Sequence, residues 1–197
     1  MQDRYSAATG IEVRDGESLF TLRNGELRPQ RPVLVVSSTS WTEEEDFGML
    51  LDALQALDES WGGGRETKRR SRRMSGEDEQ QQKPFVVVMV TGKGPQKAMY
   101  EERMSRMDLK RCAVCTIWLE PEDYPRLIGS ADLGVSLHSS TSGIDLPMKV
   151  LDMFGCHLPV CALDFSCLSE LVKHEVSKRA APRPSHSSLG KRPSDQH

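Results

Sequence analysis

The chain has 197 residues, 37% of them hydrophobic and 28% charged, with a formal net charge of −3. That is enough for one domain with a real core, and the slight acidity gives no overall pull toward nucleic acid. No apolar run approaches the ~18–20 residues of a membrane span, the opening MQDRYSAATG lacks the apolar stretch of a signal peptide, and five cysteines without such a signal point to free thiols in a reducing compartment.

Residues 1–30 are polar and aperiodic and read as a weakly ordered lead-in. Within them RDGESLFTLRNGELR (14–28) suits either a hairpin turning at Asn24-Gly25 or more of the tail. From Pro32 the pattern sharpens. VLVVSS is a short continuous apolar run, the mark of a buried parallel strand. Thr42, with Glu45 three residues on, fits a capping box, and Phe47, Leu50, Leu51, Leu54 and Leu57 follow at helical spacing. Residues 62–83 (GGGRETKRRSRRMSGEDEQQQK) have a composition that cannot build a core and read as a flexible charged insertion. A nuclear-localisation or RNA-binding patch is the competing reading of Arg65–Arg73. The lack of aromatics and the acids just downstream weigh against it.

Phe85–Thr91 is a second strand. Gly92-Lys93-Gly94-Pro95 turns into a helix that runs to about Met107, with Pro95 suited to its first position. Cys112–Trp118 is a third strand. LEPEDYPRLIGSAD is a short helix broken near Pro125, and Leu133–Leu137 a fourth strand. A helix over Pro147–Phe154, a strand over Leu158–Ala162 and a short helix over Leu168–Lys173 complete the alternation. Strands alternating with helices predict an α/β fold with a parallel sheet. Residues 176–197, rich in Pro, Ser and basic residues, read as a disordered tail.

In such sheets ligands bind beyond the carboxyl ends of the strands. Three segments fall there: Ser37–Trp41, Gly92–Gly94 and His138–Gly143. The last, His138-Ser139-Ser140-Thr141-Ser142-Gly143, is a hydroxyl-rich loop before a helix, able to aim amides at a phosphate. Asp145 and Asp152 flank Lys149, and Lys149 and Asp152, three apart, share a helical face. The plain reading is a loop followed by a solvated ion pair. Gly92-Lys93-Gly94 fits neither a Walker loop nor GxGxxG. It offers two glycines and one lysine, which a tight turn also explains. His138 is a candidate acid/base or hydroxyl ligand, although a lone histidine is more often structural. Cys112-x-x-Cys115 has zinc or redox spacing but lies in a strand, where its side chains point to opposite faces. No metal and no cofactor are expected.

The segments VVSSTSWTEEEDFGMLLDAL, VTGKGP and WLEPEDYPRLIGSADLGVSLHSSTSGIDLPMKVLDMFGCHLPVCALDF, in that order, closely resemble chitobiosyldiphosphodolichol beta-mannosyltransferases, glycosyltransferases of the GT-B kind (family 33). The resemblance covers about Arg31 to Glu175 apart from 62–83, and so implies a domain at 31–175. It implies one Rossmann-like half of a GT-B fold, with helices on both faces of the sheet, that holds the donor GDP-mannose. The acceptor would be dolichol-linked chitobiose at the cytosolic face of the endoplasmic reticulum, to which this chain would be cytosolic or peripheral. It assigns Lys93, Gly94, His138, Ser139, Ser140, Thr141, Ser142, Gly143 and Lys149 to the donor. Asp152 takes the position of the glutamate that grips the donor ribose in related enzymes, with Asp145 the nearest acid to the companion position, occupied here by Ile144. The acceptor domain and the general base have no counterpart in the resembling segments. Binding without catalysis, or association with a full-length glycosyltransferase, is therefore the alternative to transfer.

Overall fold

The computed structural model describes residues 1–62, 84–139 and 144–173. In chain order the elements are α1 (Gln2–Thr9), β1 (Val33–Ser38), α2 (Phe47–Gly62), β2 (Val86–Thr91), α3 (Lys97–Ser105), β3 (Cys112–Ile117), α4 (Tyr124–Ser130), β4 (Leu133–Ser136), α5 (Met148–Gly155) and β5 (Val160–Ala162), with a 3₁₀ turn at Leu168–Glu170. All five strands are parallel, in the order β3-β2-β1-β4-β5. This is the first five strands of a doubly wound, Rossmann-like sheet, as the alternation of elements predicts.

The strands alternate side chains between two cores. Val35, Val86, Val88 and Val90 face one way, onto Leu51 and Leu54 of α2 and Tyr100 of α3. Leu34, Val36 and Val87 face the other way, onto Ile128 of α4, Met153 of α5 and Tyr5 of α1. The helices therefore cover both faces. That is why the strands read as unbroken apolar runs rather than alternating ones.

Residues 1–30 depart from the expected lead-in. The eight residues of α1 seat Tyr5, fully buried, edge-on against Phe85 at 5.8 Å, and its hydroxyl donates to Gln30 O at 3.1 Å. Local periodicity gives no sign of this, because the anchor is one residue and its partners are distant. Asn24-Gly25 does turn: Thr21 and Leu27 pair antiparallel, and Gly25 sits at φ +83°, where a side chain would be strained. Pro125 does not break the short helix but stands in the first turn of α4, where its missing N–H costs nothing. The expected capping box is also absent, since α2 starts at Phe47 and the Glu45 side chain is engaged elsewhere. The charged insertion expected at 62–83, beyond Gly62, and the tail at 176–197 lie outside the described residues.

Candidate functional site

In this strand order the chain leaves β1 toward β2 and returns on the other side to β4, so the connections after β1 and β4 diverge and leave a crevice at the carboxyl edge between them. Ser38 closes β1, His138 and Ser139 follow β4, and Lys149 stands in the first turn of α5.

The centre of this arrangement is Glu45, 2% exposed. Its Oε2 accepts a short hydrogen bond from Thr39 Oγ1 and another from Ser40 N–H at 2.7 Å, and its Oε1 accepts a close charged contact from Lys149 Nζ. A single carboxylate thus ties the exit of β1 to the start of α5. Burial pushes the Lys149 ammonium down to about 8, while the carboxylate beside it favours the charged form. At neutral pH the lysine carries its charge. His138 pairs antiparallel with Glu45 through the backbone. Its Nε2 is buried without a hydrogen bond among the described residues and lies 3.6 Å from Asp145 Oδ2. Ser139 anchors the same junction: its N–H and hydroxyl donate to Glu44 O at 2.9 and 3.0 Å.

A second group lies beside it. Tyr124 Oη is 2.9 Å from Ser38 Oγ and 3.5 Å from Asp152 Oδ2. Burial raises the pKa of its phenol, and the nearby Asp152 charge adds to the rise. Lys149 and Asp152 therefore do not pair with each other: the lysine reaches Glu45 and the aspartate lies by Tyr124.

Lys93 and the glycines beside it belong elsewhere on the edge. Lys93 Nζ lies 3.7 Å above the ring of the half-exposed Trp118, just past β3. A Cβ at Gly92 would come within 1.8 Å of Thr39 O, and one at Gly94 within 1.7 Å of Ser40 O. What approaches these glycines is the chain's own exit loop from β1. Trp41 at the tip of that loop has φ 52°, donates its indole N–H to Gly92 O at 3.3 Å and packs on Phe47 and Tyr100 at 4.8 and 5.9 Å. The loop is thus fixed from both sides.

Of the residues expected at the donor, the crevice brings together His138, Ser139, Asp145, Lys149 and Asp152. Lys93 and Gly94 sit one strand farther along, and Ser140, Thr141, Ser142 and Gly143 lie outside the described residues. Glu45 and Tyr124 are additions, and Ser38 falls in the Ser37–Trp41 segment expected at this edge. Thr42-x-x-Glu45 hid the glutamate behind a capping pattern, and Tyr124 stood among helix-start residues with no distinguishing spacing. Cys112 faces the α2–α3 core, and Cys115 Sγ lies 3.7 Å from Val88 O; all five cysteines are free. Among the described residues no group of His, Cys, Asp and Glu is placed to hold a metal ion. A cavity of about 350 Å³ lies away from the crevice, against α3 and the outer strand, bordered by Met104, Met107, Val114, Cys115 and Thr116.

No family model matches the chain. Individual proteins do. A chitobiosyldiphosphodolichol beta-mannosyltransferase of Pongo abelii is 52% identical over 174 residues, 88% of this chain and 33% of that protein. The human protein of the same name is 51% identical over the same coverage. The matched stretch belongs to the chitobiosyldiphosphodolichol beta-mannosyltransferase family. UDP-glycosyltransferase TURAN of Arabidopsis thaliana is 52% identical over 162 residues, 80% of this chain and 34% of that protein. The chain spans about a third of the length of the mannosyltransferases it matches. Among solved structures, a pneumococcal O-GlcNAc transferase in complex with UDP and GlcNAc aligns with 78% of the chain at 11% identity and a TM-score of 0.46. No helix among the described residues is long and apolar enough to cross a membrane.

Proposed function

We propose that this chain carries the nucleotide-sugar donor site of a chitobiosyldiphosphodolichol beta-mannosyltransferase, one half of a GT-B enzyme, and takes GDP-mannose in the crevice between β1 and β4. The observation that carries the reading is the 52% identity to a protein of that name over a stretch that includes every residue of the crevice. The chemistry of the crevice agrees with it. A diphosphate leaving group needs positive charge and amide donors. Lys149 offers the first, and the amide donors expected from Ser140 to Gly143 lie outside the described residues. Asp152 would accept from ribose hydroxyls, with Tyr124 fixing its place. His138 and Asp145 would face the sugar. The acceptor in this reading is dolichol-linked chitobiose at the cytosolic face of the endoplasmic reticulum, attacked by direct displacement at the anomeric carbon. No residue here is assigned as the general base.

A second reading is donor binding without transfer, alone or in association with a full-length glycosyltransferase. It needs only the crevice at the edge of the single parallel sheet that the described residues build. Calorimetric titration with GDP-mannose and with a UDP-sugar, followed by an assay of mannose transfer to a chitobiosyl-lipid, separates the readings. GDP-mannose binding with transfer supports the enzyme, binding without transfer supports the second reading, and absence of binding by either nucleotide sugar overturns the donor site.

A further inference from the structure

Glu45 lies outside the groups expected to touch a donor, yet it is the most buried charged residue of the crevice at 2% exposure. A carboxylate so placed is costly unless its oxygens are filled. They are filled by three donors that share one purpose: Thr39 Oγ1 and Ser40 N–H from the exit of β1, and Lys149 Nζ from the first turn of α5. The Lys149 side chain is 18% exposed, so it is not sealed off from solvent. An ammonium has three N–H groups, and one contact with Glu45 leaves the others for a ligand.

We propose that Glu45 is the positioning residue of the donor site, holding Lys149 charged and aimed at the crevice so that the lysine can grip a diphosphate. The inference rests on the reading of the crevice as a nucleotide-sugar site. Glu45 itself touches no ligand in this arrangement and acts through Lys149. Burial lowers the lysine's hold on its proton, and the Glu45 carboxylate opposes that loss. The other titratable groups around the lysine are His138 and Asp145 beyond β4, Asp152 on α5 and Tyr124 on α4. None of them contacts Nζ among the described residues.

The test is calorimetric titration of the full chain with GDP from about pH 6 to about pH 9, for the wild type, Glu45→Gln, Lys149→Arg and the double variant. Wild-type affinity is expected to fall as pH rises through about 8, where Lys149 loses its proton. Glu45→Gln moves that fall to lower pH. It then binds about tenfold more weakly than wild type near pH 7.5 but within about threefold near pH 6, because the lysine has lost its counter-charge. Arginine keeps its charge throughout, so Lys149→Arg removes this fall and the double variant matches it. A pH-independent loss in Glu45→Gln would make the glutamate merely structural and overturn the proposal. If Glu45→Gln fails to fold, Glu45→Asp carries the same test through its shorter reach, with an unmoved midpoint as the overturning result. Wild type that binds no GDP at any pH overturns the donor reading itself, and the role of Glu45 with it.

Discussion

Arg31 and Asp132, 101 residues apart in sequence, meet in a two-pronged ion pair with N···O distances of 2.7 and 2.6 Å. Asp132 also accepts from Leu34 N–H at 2.9 Å, so one carboxylate fastens the starts of β1 and β4 to each other. The pair stands at the edge of the sheet opposite the crevice. Both side chains are mostly buried, 22% and 27% exposed, and the pairing raises the Arg31 pKa above its ordinary value, chiefly through the hydrogen bond to Asp132. Asp132→Ala is expected to lower stability by about 2–3 kcal/mol, the cost of leaving a guanidinium and a strand N–H without their acceptor. Urea denaturation measures that loss. GDP affinity of the folded variant is expected to stay within about twofold of wild type, since additivity holds for sites far apart.

Asp152→Ala removes the carboxylate beside Tyr124. If Asp152 receives the donor ribose, GDP-mannose affinity falls by about tenfold or more, as for a lost hydrogen bond to a charged group. Because Asp152 is exposed, the thermal midpoint moves by no more than a few degrees. Tyr124→Phe leaves Asp152 in place but unsupported, so a smaller loss of affinity is expected from it. A large drop in the melting temperature of Asp152→Ala would make the residue structural.

The two glycines after β2 give a contrast in stability. At Gly94→Ala the new methyl would overlap Ser40 O at 1.7 Å and press on Trp41 Cβ at 2.8 Å. The clash is with backbone, which cannot swing aside, so the loss is expected to exceed about 3 kcal/mol. Gly92→Ala meets Thr39 O at 1.8 Å and carries the added strain of φ +132°. Gly129, in α4, has nothing within 4 Å of its missing Cβ, and Gly129→Ala is expected to stabilise by about 0.5–1 kcal/mol through helix propensity. Thermal melts of the three variants check the order.

Burial, with Asp58 adding to it, pushes the Cys112 thiol from its ordinary 9.0 up to about 12. A thiol that stays protonated is a poor nucleophile, whereas Cys161 is exposed. Brief treatment with iodoacetamide near neutral pH should label Cys161, and Cys112 only after denaturation, with peptide mass spectrometry as the readout. The sign of the pH effect follows. Between about 9 and 12 the folded state holds the Cys112 proton and the unfolded chain releases it, so this group's contribution to stability is lost as pH rises. Cys112→Ala is expected to flatten the alkaline fall in stability relative to wild type, followed by urea midpoints at several pH values.

The sheet was legible because each strand is buried on both faces. VLVVSS and FVVVMVT can be little else than interior parallel strands, and the helix over Phe47–Leu57 announces itself by its spacing. The crevice at the carboxyl edge was legible too, from the alternation of strands and helices, and the rule that ligands sit there makes it the candidate site. Partnership was not. Lys149 and Asp152 share a face by spacing, but their partners, Glu45 and Tyr124, lie 104 and 28 residues away. Thr42-x-x-Glu45 satisfies a local capping pattern, yet Glu45 takes Thr39, Ser40 and Lys149 as partners rather than a helix N-terminal N–H. Tyr5 was hidden for the same reason. A helix held by one aromatic residue against Phe85 leaves no periodic trace.

The seam between β1 and β4 has a kinetic meaning. Val35 lies beside Leu133 and Val36 beside Gly134, so closing the sheet joins segments nearly a hundred residues apart, an expensive loop to close. Glu45 stands on one side of that seam and Lys149 on the other. A chain with only its first two strands docked would have half a grip and no affinity. A bound nucleotide would therefore act as a fastener across the join of longest sequence separation in the sheet, slowing its opening.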